Sequence, residues 1–124
     1  MKLVDSSGWL EFFTDGPLAQ AYASHLRNPQ EVVTPTVVLY EVYKVIKRQR
    51  TEEEALAAAA QVGKTRVVAL DDQVALTAAD LSLAHHLAMA DAIVYATALM
   101  QGATLLTSDS DLASLPGVTY LRKS

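Results

Sequence analysis

The chain of 124 residues contains no cysteine, which excludes disulfide bridges, thiolate metal sites and cysteine nucleophiles. It also has no apolar run near the ~20 residues that a membrane-spanning helix requires. The opening residues, MKLVDSSGWL, carry Asp5 where a signal peptide would be apolar. From these absences we expect a cytoplasmic protein that does not associate with membranes.

Basic residues are scarce, since 10 lysines and arginines stand against 14 aspartates and glutamates, giving a net charge of −4. This balance is not that of a simple basic nucleic-acid binder. A polyanion can still be bound if divalent metal neutralises a group of carboxylates, because a bound cation reverses the local charge. The composition permits this second route without requiring it.

Repeats, low-complexity segments and linkers rich in proline, glycine or serine are absent, whereas 51% of the residues are hydrophobic. Such a composition is typical of a folded globule rather than a disordered chain. The length suits one domain, so residues 1–124 are predicted to form a single folded unit.

Short apolar runs rich in β-branched residues predict five strands, at residues 2–5, 31–34, 66–70, 103–107 and 118–121. Their nearly continuous hydrophobicity indicates burial on both faces, as in a parallel sheet. The segments between them have helix signals, and their alternation with the strands predicts an α/β fold. We expect a three-layer α/β/α sandwich with a mostly parallel central sheet of about five short strands.

Helix caps are predicted at hydroxyl or acidic residues that follow the strands. Ser6 or Ser7 is expected to cap the first helix, and Thr36 the long helix over residues 37–50. Thr51 stands three residues before a glutamate and predicts a capping box for the helix over residues 52–62.

Two acidic side chains lie where a charge needs an explanation. Asp5 directly follows the first strand, where it is either the cap of the next helix or a site residue. Glu41 lies four residues from Val37 and from Val45, on the apolar stripe of its helix. A carboxylate there is costly to bury unless something binds it, and the alternative is an ion pair with Lys44 at the margin of the stripe.

The last third of the chain carries the other acidic candidates. Asp91 begins a helix over residues 89–101 that is apolar nearly all round, so its first turn is expected to be enclosed. Asp91 is therefore either a cap at that helix N-terminus or a ligand in a shared site. Asp109 and Asp111 follow the fourth strand. Ser108 and Asp111 have capping-box spacing, which favours Asp109 as the site residue.

In open parallel sheets, ligands bind beyond the carboxyl ends of the strands. The sequence therefore predicts convergence at one rim of the sheet for Asp5, Glu41, Asp91 and Asp109. Oxygen ligands without cysteine or histidine suit Mg²⁺ or Mn²⁺. Such a site is suited to phosphodiester hydrolysis, in which the cation orients a water and offsets charge in the transition state.

The order of these motifs resembles a known family. LVDSSGWLEFF, VVLYEVYKV and MADAIVYATALMQGATLLTSDSDL are similar, in this order, to the PIN-domain ribonucleases and, at this length, to VapC-type toxins. Four positions match the acidic metal-binding residues of the family: Asp5, Glu41, Asp91 and Asp109. Ser6 and Thr107 match hydroxyl positions near that site, and Leu112 stands where many relatives have an aromatic residue.

The resemblance implies a PIN-like fold and a Mg²⁺- or Mn²⁺-dependent endoribonuclease that leaves 5′-phosphate and 3′-hydroxyl ends. It further implies the toxin of a toxin–antitoxin pair, usually a homodimer, with an RNA substrate and a cognate antitoxin that covers the active site. The alternative is a catalytically inactive PIN-like module that binds RNA or protein. A phosphoacceptor receiver domain is disfavoured, because no pair of acids follows the first strand.

The helix that carries Glu41 also has aromatic and basic residues, with Tyr40 and Tyr43 beside the run KVIKRQR. One interpretation is packing of the rings and complementation of the helix dipole by the basic residues. The other is stacking of RNA bases and contact with phosphates beside the acidic site.

Overall fold

Five short strands form one parallel sheet in this computed structural model, which describes residues 1–123. The strands are β1 (Lys2–Val4), β2 (Val32–Pro35), β3 (Arg66–Val68), β4 (Thr104–Thr107) and β5 (Val118–Tyr120). Their order across the sheet is β3-β2-β1-β4-β5, and every neighbouring pair is parallel. The predicted parallel sheet of five short strands is confirmed.

Six α-helices connect the strands. They are α1 (Ser6–Phe13), α2 (Ala19–His25), α3 (Thr36–Gln49), α4 (Glu52–Val62), α5 (Asp72–His85) and α6 (Met89–Met100). The chain moves outward from β1 to β3 and then returns to β4, on the other side of β1. Right-handed crossovers consequently place α1 to α4 on one face of the sheet and α5 and α6 on the other, which gives the three predicted layers.

The core is built around the three central strands and α6. Leu3, Val33 and Leu105 are fully buried, and α6 is buried without interruption from Ala92 to Ala98. Burial of each such aliphatic side chain contributes roughly 1.5–3 kcal/mol. The predicted two-sided burial holds for β2 but is wrong for β3 and most of β5, which are exposed because they form the sheet edges.

Two predicted helix caps are wrong. Asp5, rather than Ser6 or Ser7, occupies the cap position of α1, because β1 ends one residue earlier than expected. Thr36 is already the first residue of α3, and the cap position is Pro35, which makes no side-chain hydrogen bond. The predicted Thr51 cap of α4 is confirmed by the bond that its hydroxyl accepts from the Glu54 N–H group at 3.0 Å.

Within residues 1–123, no single helix is both long and apolar enough to cross a membrane. Only α5 and α6 taken together are long and apolar enough for such a span, and the two helices meet at a bend of 113°.

Candidate metal centre

β1, at the centre of the sheet, is the point where the strand order reverses, because β2 and β3 lie on one side of it and β4 and β5 on the other. β1 and β4 pair side by side there, with Leu3 opposite Leu105 and Val4 opposite Leu106. Their carboxyl ends consequently open at the same place, which is where open α/β sheets bind ligands. Asp5 follows β1 directly and Asp109 follows β4 by two residues, so this topology brings them to one rim.

Asp5 is both a helix cap and a buried member of this rim, with only 5% of its surface exposed. Its Oδ1 accepts hydrogen bonds from the Ser7 hydroxyl at 2.6 Å and the Gly8 N–H at 3.3 Å. Its Oδ2 accepts from the Thr107 hydroxyl at 2.6 Å. Burial raises the pKa of Asp5, these three hydrogen bonds oppose the rise, and the charge of Asp109 adds to it.

Two hydroxyl groups tie Asp5 to the loop after β4. The Thr107 hydroxyl donates to Asp5 and accepts the N–H of Asp109 at 2.9 Å. The Ser7 hydroxyl likewise donates to Asp5 and accepts the N–H of Ser108 at 3.0 Å. Each hydroxyl therefore donates its single proton to a carboxylate oxygen of Asp5 and accepts a backbone N–H group of the loop with a lone pair. These bridges hold Asp5 and the loop in a fixed relation.

Ser7 is a site residue that sequence reasoning missed. The family resemblance places Ser6 near the site, and the Ser6 hydroxyl does interact with Glu41, where it opposes the rise in pKa caused by burial. The hydroxyl on Asp5 belongs to Ser7, one residue further along α1. The only local signal was that Ser6 and Ser7 are adjacent in the sequence, and this does not show which hydroxyl faces which acid.

Glu41 reaches the same rim from α3 and is partly buried. Burial raises the pKa of Glu41, and the negative charges of Asp5 and Asp109 raise it further, whereas the Ser6 hydroxyl and the Lys44 ammonium oppose the rise. Within residues 1–123, no salt bridge joins Glu41 to Lys44, so the alternative of a marginal ion pair is wrong. Glu41 therefore faces other acids.

Asp91 lies in the first turn of α6, but it is not the cap. The cap position is Ala88, where no side chain accepts a hydrogen bond. Burial raises the pKa of Asp91 to about 6, and four nearby carboxylates contribute to the rise: Asp109, Asp111, Asp5 and Glu41. Asp91 therefore lies close to four other carboxylates, and we call the five side chains Asp5, Glu41, Asp91, Asp109 and Asp111 the acidic rim.

Asp111 also belongs to this rim, although the sequence favoured a structural role for it. The predicted capping box is wrong, because Asp109 itself caps the short turn that follows, accepting the Asp111 N–H at 2.9 Å. The Ser108 hydroxyl instead donates to the Leu121 carbonyl and contacts the Tyr22 hydroxyl, each at 2.7 Å. The Asp111 carboxylate is left to face Asp91.

The donor set fits a hard divalent cation. Asp91, Asp109 and Asp111 each offer a carboxylate oxygen, and these oxygens lie within 4.8 Å of one another. Two oxygens that bind one Mg²⁺ at about 2.1 Å can be at most about 4.2 Å apart. Small side-chain rotations are therefore sufficient to bring the three carboxylates onto one ion. Asp5 and Glu41 lie beside this group and add negative charge.

Comparison with known proteins identifies the family. The family model for the PIN domain matches residues 2–118. The chain belongs to the PIN-domain family. No curated protein matches this PIN domain. Family membership supports a nuclease-type function and the use of divalent metal.

Solved structures share the fold of this PIN domain. A toxin–antitoxin complex from Klebsiella pneumoniae matches with a TM-score of 0.81 and 22% identity over 96% of each chain. VapC20 from Mycobacterium tuberculosis, a Sarcin-Ricin loop cleaving toxin, matches with a TM-score of 0.79 and 21% identity over 99% of this chain and 100% of that one. VapBC2 from Rickettsia felis, bound to a fragment of its promoter, matches with a TM-score of 0.76 and 12% identity over 98% and 97%.

The acidic rim makes the stability of the metal-free PIN domain depend on pH. Asp91 has its ordinary pKa near 3.8 when unfolded and about 6 when folded, so the folded state binds the proton more tightly. The resulting stabilisation is complete below the unfolded pKa and is lost as pH rises through the folded pKa. We expect the free energy of unfolding in EDTA to fall between about pH 5 and about pH 7.5. The loss attributable to Asp91 is ~1 kcal/mol after allowance for its partial exposure.

Urea denaturation of the wild type and of Asp91→Asn at both pH values measures this effect. His25 has a pKa lowered by burial, which gives the opposite slope, so the difference between the two proteins isolates Asp91. Parallel pH profiles for the two proteins would contradict the prediction.

Proposed function

We propose that this PIN domain is a Mg²⁺- or Mn²⁺-dependent endoribonuclease and the toxin of a toxin–antitoxin pair. The observation that carries the proposal is the convergence of Asp91, Asp109 and Asp111 within 4.8 Å, beside Asp5 and Glu41. Carboxylates this close repel one another, and a divalent cation between them is attracted to each, so the group favours binding of the cation. The likeness of the fold to VapC structures supports the assignment as a toxin.

The five acidic residues have three roles in this proposal. Asp91, Asp109 and Asp111 hold the cation, and Asp5 fixes the loop that carries two of them through its hydroxyl bridges. A bound divalent cation supplies the charge that orients the water and stabilises the transition state of phosphodiester hydrolysis. Glu41, whose pKa is raised by burial, orients the attacking water and accepts its proton.

The products follow from which bond breaks. The water oxygen bonds to phosphorus while the bond from phosphorus to the 3′ oxygen breaks. The proton lost by the water passes to Glu41 and then to solvent, and the departing 3′ oxygen takes up a proton from solvent. Cleavage in this direction leaves a 5′-phosphate and a 3′-hydroxyl.

The partners and location are part of the same proposal. We place the protein in the cytoplasm, as a homodimer inhibited by a cognate antitoxin. Two of the similar structures support the antitoxin, since one is a toxin–antitoxin complex and the other is a VapBC assembly. Exposed Leu76, Leu83 and Met89 on α5 and α6 supply apolar surface of the kind that homodimer contacts bury.

Incubation of the purified chain with structured RNAs tests the activity. We expect cleavage with Mg²⁺ or Mn²⁺, loss of at least about 100-fold of the rate in EDTA, and recovery on addition of excess metal. End-labelling of the products should reveal 5′-phosphates. Cleavage that persists in EDTA would indicate a contaminating nuclease. Binding of Mn²⁺ without any cleavage would instead favour the inactive RNA- or protein-binding module.

A further inference from the structure

One side of α3 combines tyrosine rings with lysine ammonium groups. Lys44 Nζ lies 5.3 Å from the centroid of the Tyr40 ring and donates a hydrogen bond to its hydroxyl at 3.3 Å. Lys47 Nζ lies 5.4 Å from the Tyr43 centroid and donates to that hydroxyl at 3.4 Å. The two pairs are three residues apart and so lie side by side along the helix. We call these four side chains the α3 ledge.

The ledge is a basic segment in an acidic protein. Residues 42–51, which lie between Glu41 and Glu52, contain four basic residues and no acidic one, whereas the whole chain has a net charge of −4. Lys44 makes no salt bridge within residues 1–123. Lys47 pairs with Glu52 at 3.2 Å, but both side chains are about half exposed or more, which makes such a pair weak. Positive charge is therefore available here for a polyanion.

The ledge also begins at the acidic rim. Tyr40 precedes Glu41 in the chain, and the charge of Lys44 opposes the rise in the pKa of Glu41, as a neighbouring ammonium should. An open groove of about 320 Å³ runs alongside, lined by Thr36, Leu39, Tyr40, Tyr43 and Ala59. Thr36 is the first residue after β2, so the groove starts at the carboxyl edge of the sheet and extends away from it.

We propose that the α3 ledge binds single-stranded RNA and leads it into the acidic rim. The Tyr40 ring stacks against a base, Tyr43 supports the ledge from its partly buried position, and Lys44 and Lys47 contact the neighbouring phosphates. Tyr40 is 59% exposed, so its ring is accessible for stacking against a base. The proposal deepens the proposed function, because it assigns a binding surface to the RNA substrate named there.

The chemistry of the ledge favours RNA over a protein partner. The centre of a protein–protein interface is depleted in lysine, because an ammonium group is costly to bury there. The ledge instead alternates aromatic rings with ammonium groups, which is the combination that suits stacked bases joined by phosphates. Such contacts tolerate any base, so the ledge increases the affinity for RNA and positions the strand, but it does not select a base sequence.

Binding of a short unstructured RNA, labelled with a fluorophore, tests the ledge in the full-length chain. Fluorescence anisotropy is measured on Asp91→Asn in EDTA, which prevents cleavage. We expect added Tyr40→Ala to weaken binding about tenfold and Tyr40→Phe to keep wild-type affinity, because the ring is retained. Lys44→Gln should weaken binding and reduce the slope of log affinity against log salt by about 0.7.

Matched controls replace the same residue types elsewhere, with Tyr120→Ala on β5 and Lys64→Gln after α4. We expect both controls to bind RNA normally, and thermal melting establishes that every variant is folded. Ledge variants that bind like the controls would overturn the proposal. Loss of self-association or antitoxin binding with unchanged RNA affinity would overturn it too, by assigning the ledge to a protein interface.

The outcomes also separate this inference from the proposed function. RNA binding that depends on Tyr40 and Lys44, with no cleavage by the wild type in Mg²⁺ or Mn²⁺, supports the ledge and refutes the nuclease. Metal-dependent cleavage by the wild type, with ledge variants that bind RNA normally, supports the nuclease and refutes the ledge.

Discussion

Replacement of Asp91 by asparagine is expected to reduce RNA cleavage about 1000-fold and to raise the melting temperature of the metal-free protein. Asp91 is repelled by four carboxylates, which together with burial raise its pKa to about 6. Removal of its charge relieves that repulsion, so the protein without metal becomes more stable. The same removal takes a ligand from the cation, whose contribution to phosphodiester hydrolysis is several kcal/mol.

The opposite signs of these two effects make the test specific. Steady-state cleavage rates in Mn²⁺ give the loss of activity, and calorimetry in EDTA gives the gain in melting temperature. Asp80→Asn is the matched control, since Asp80 is an exposed acid on α5, and it should leave both values unchanged. Cleavage of RNA by Asp91→Asn at the wild-type rate would show that the metal centre takes no part in the reaction.

Addition of a single methyl group at Gly8 is expected to destabilise the protein by about 3 kcal/mol, or about 10 °C in melting temperature. A Cβ atom there would overlap Cε1 of Tyr22 and lie 2.7 Å from both Cδ1 of Tyr22 and Cγ1 of Val4. Tyr22 and Val4 are fully buried in the core, so neither can move away cheaply. The Gly8→Ala chain must therefore shift α1 away from β1.

The same shift should weaken metal binding. The Gly8 N–H group donates to Asp5, and the Tyr22 hydroxyl contacts Ser108 in the loop that carries Asp109. We expect Mn²⁺ affinity of Gly8→Ala to fall about tenfold by titration calorimetry below its melting temperature, as when partners that orient metal ligands are disturbed.

Gly63→Ala is the control for the Gly8 prediction. Gly63 ends α4 with φ −63° and ψ −15°, which any residue adopts, and an added Cβ would approach only backbone oxygens, at 3.3 and 3.5 Å. Its melting temperature and Mn²⁺ affinity should stay close to those of the wild type. Equal effects at the two glycines would show that close packing at Gly8 is not the cause.

The fold was predictable because its signals are local. Short apolar runs, LV at the start and TLLT near the end, were sufficient to place β1 and β4 to within one residue. The order of the strands across the sheet cannot be predicted from any single apolar run. For this reason β3 was expected to be buried, whereas it is an exposed edge strand. Neighbour order depends on crossovers that form only when distant segments meet.

Candidate acids were also predictable, from their places at strand and helix ends. Asp5, Glu41, Asp91 and Asp109 face one another as expected from the topology, although their catalytic and metal-binding roles remain predictions. Asp111 was placed behind Asp109 as a site candidate, because the spacing of a capping box does not reveal which of two neighbouring residues makes the bond. That choice depends on Tyr22 and the tail near Leu121, which no local pattern connects to this loop.

The hydrogen bond between Thr107 and Asp5 joins residues 102 positions apart. During translation the first acid is made early, but the hydroxyl and the loop that complete its surroundings are made almost last. A chain that ends before β4 therefore lacks the Thr107 hydroxyl and the two loop acids, Asp109 and Asp111. The group of carboxylates at the sheet edge is consequently complete only after nearly the whole chain has been synthesised.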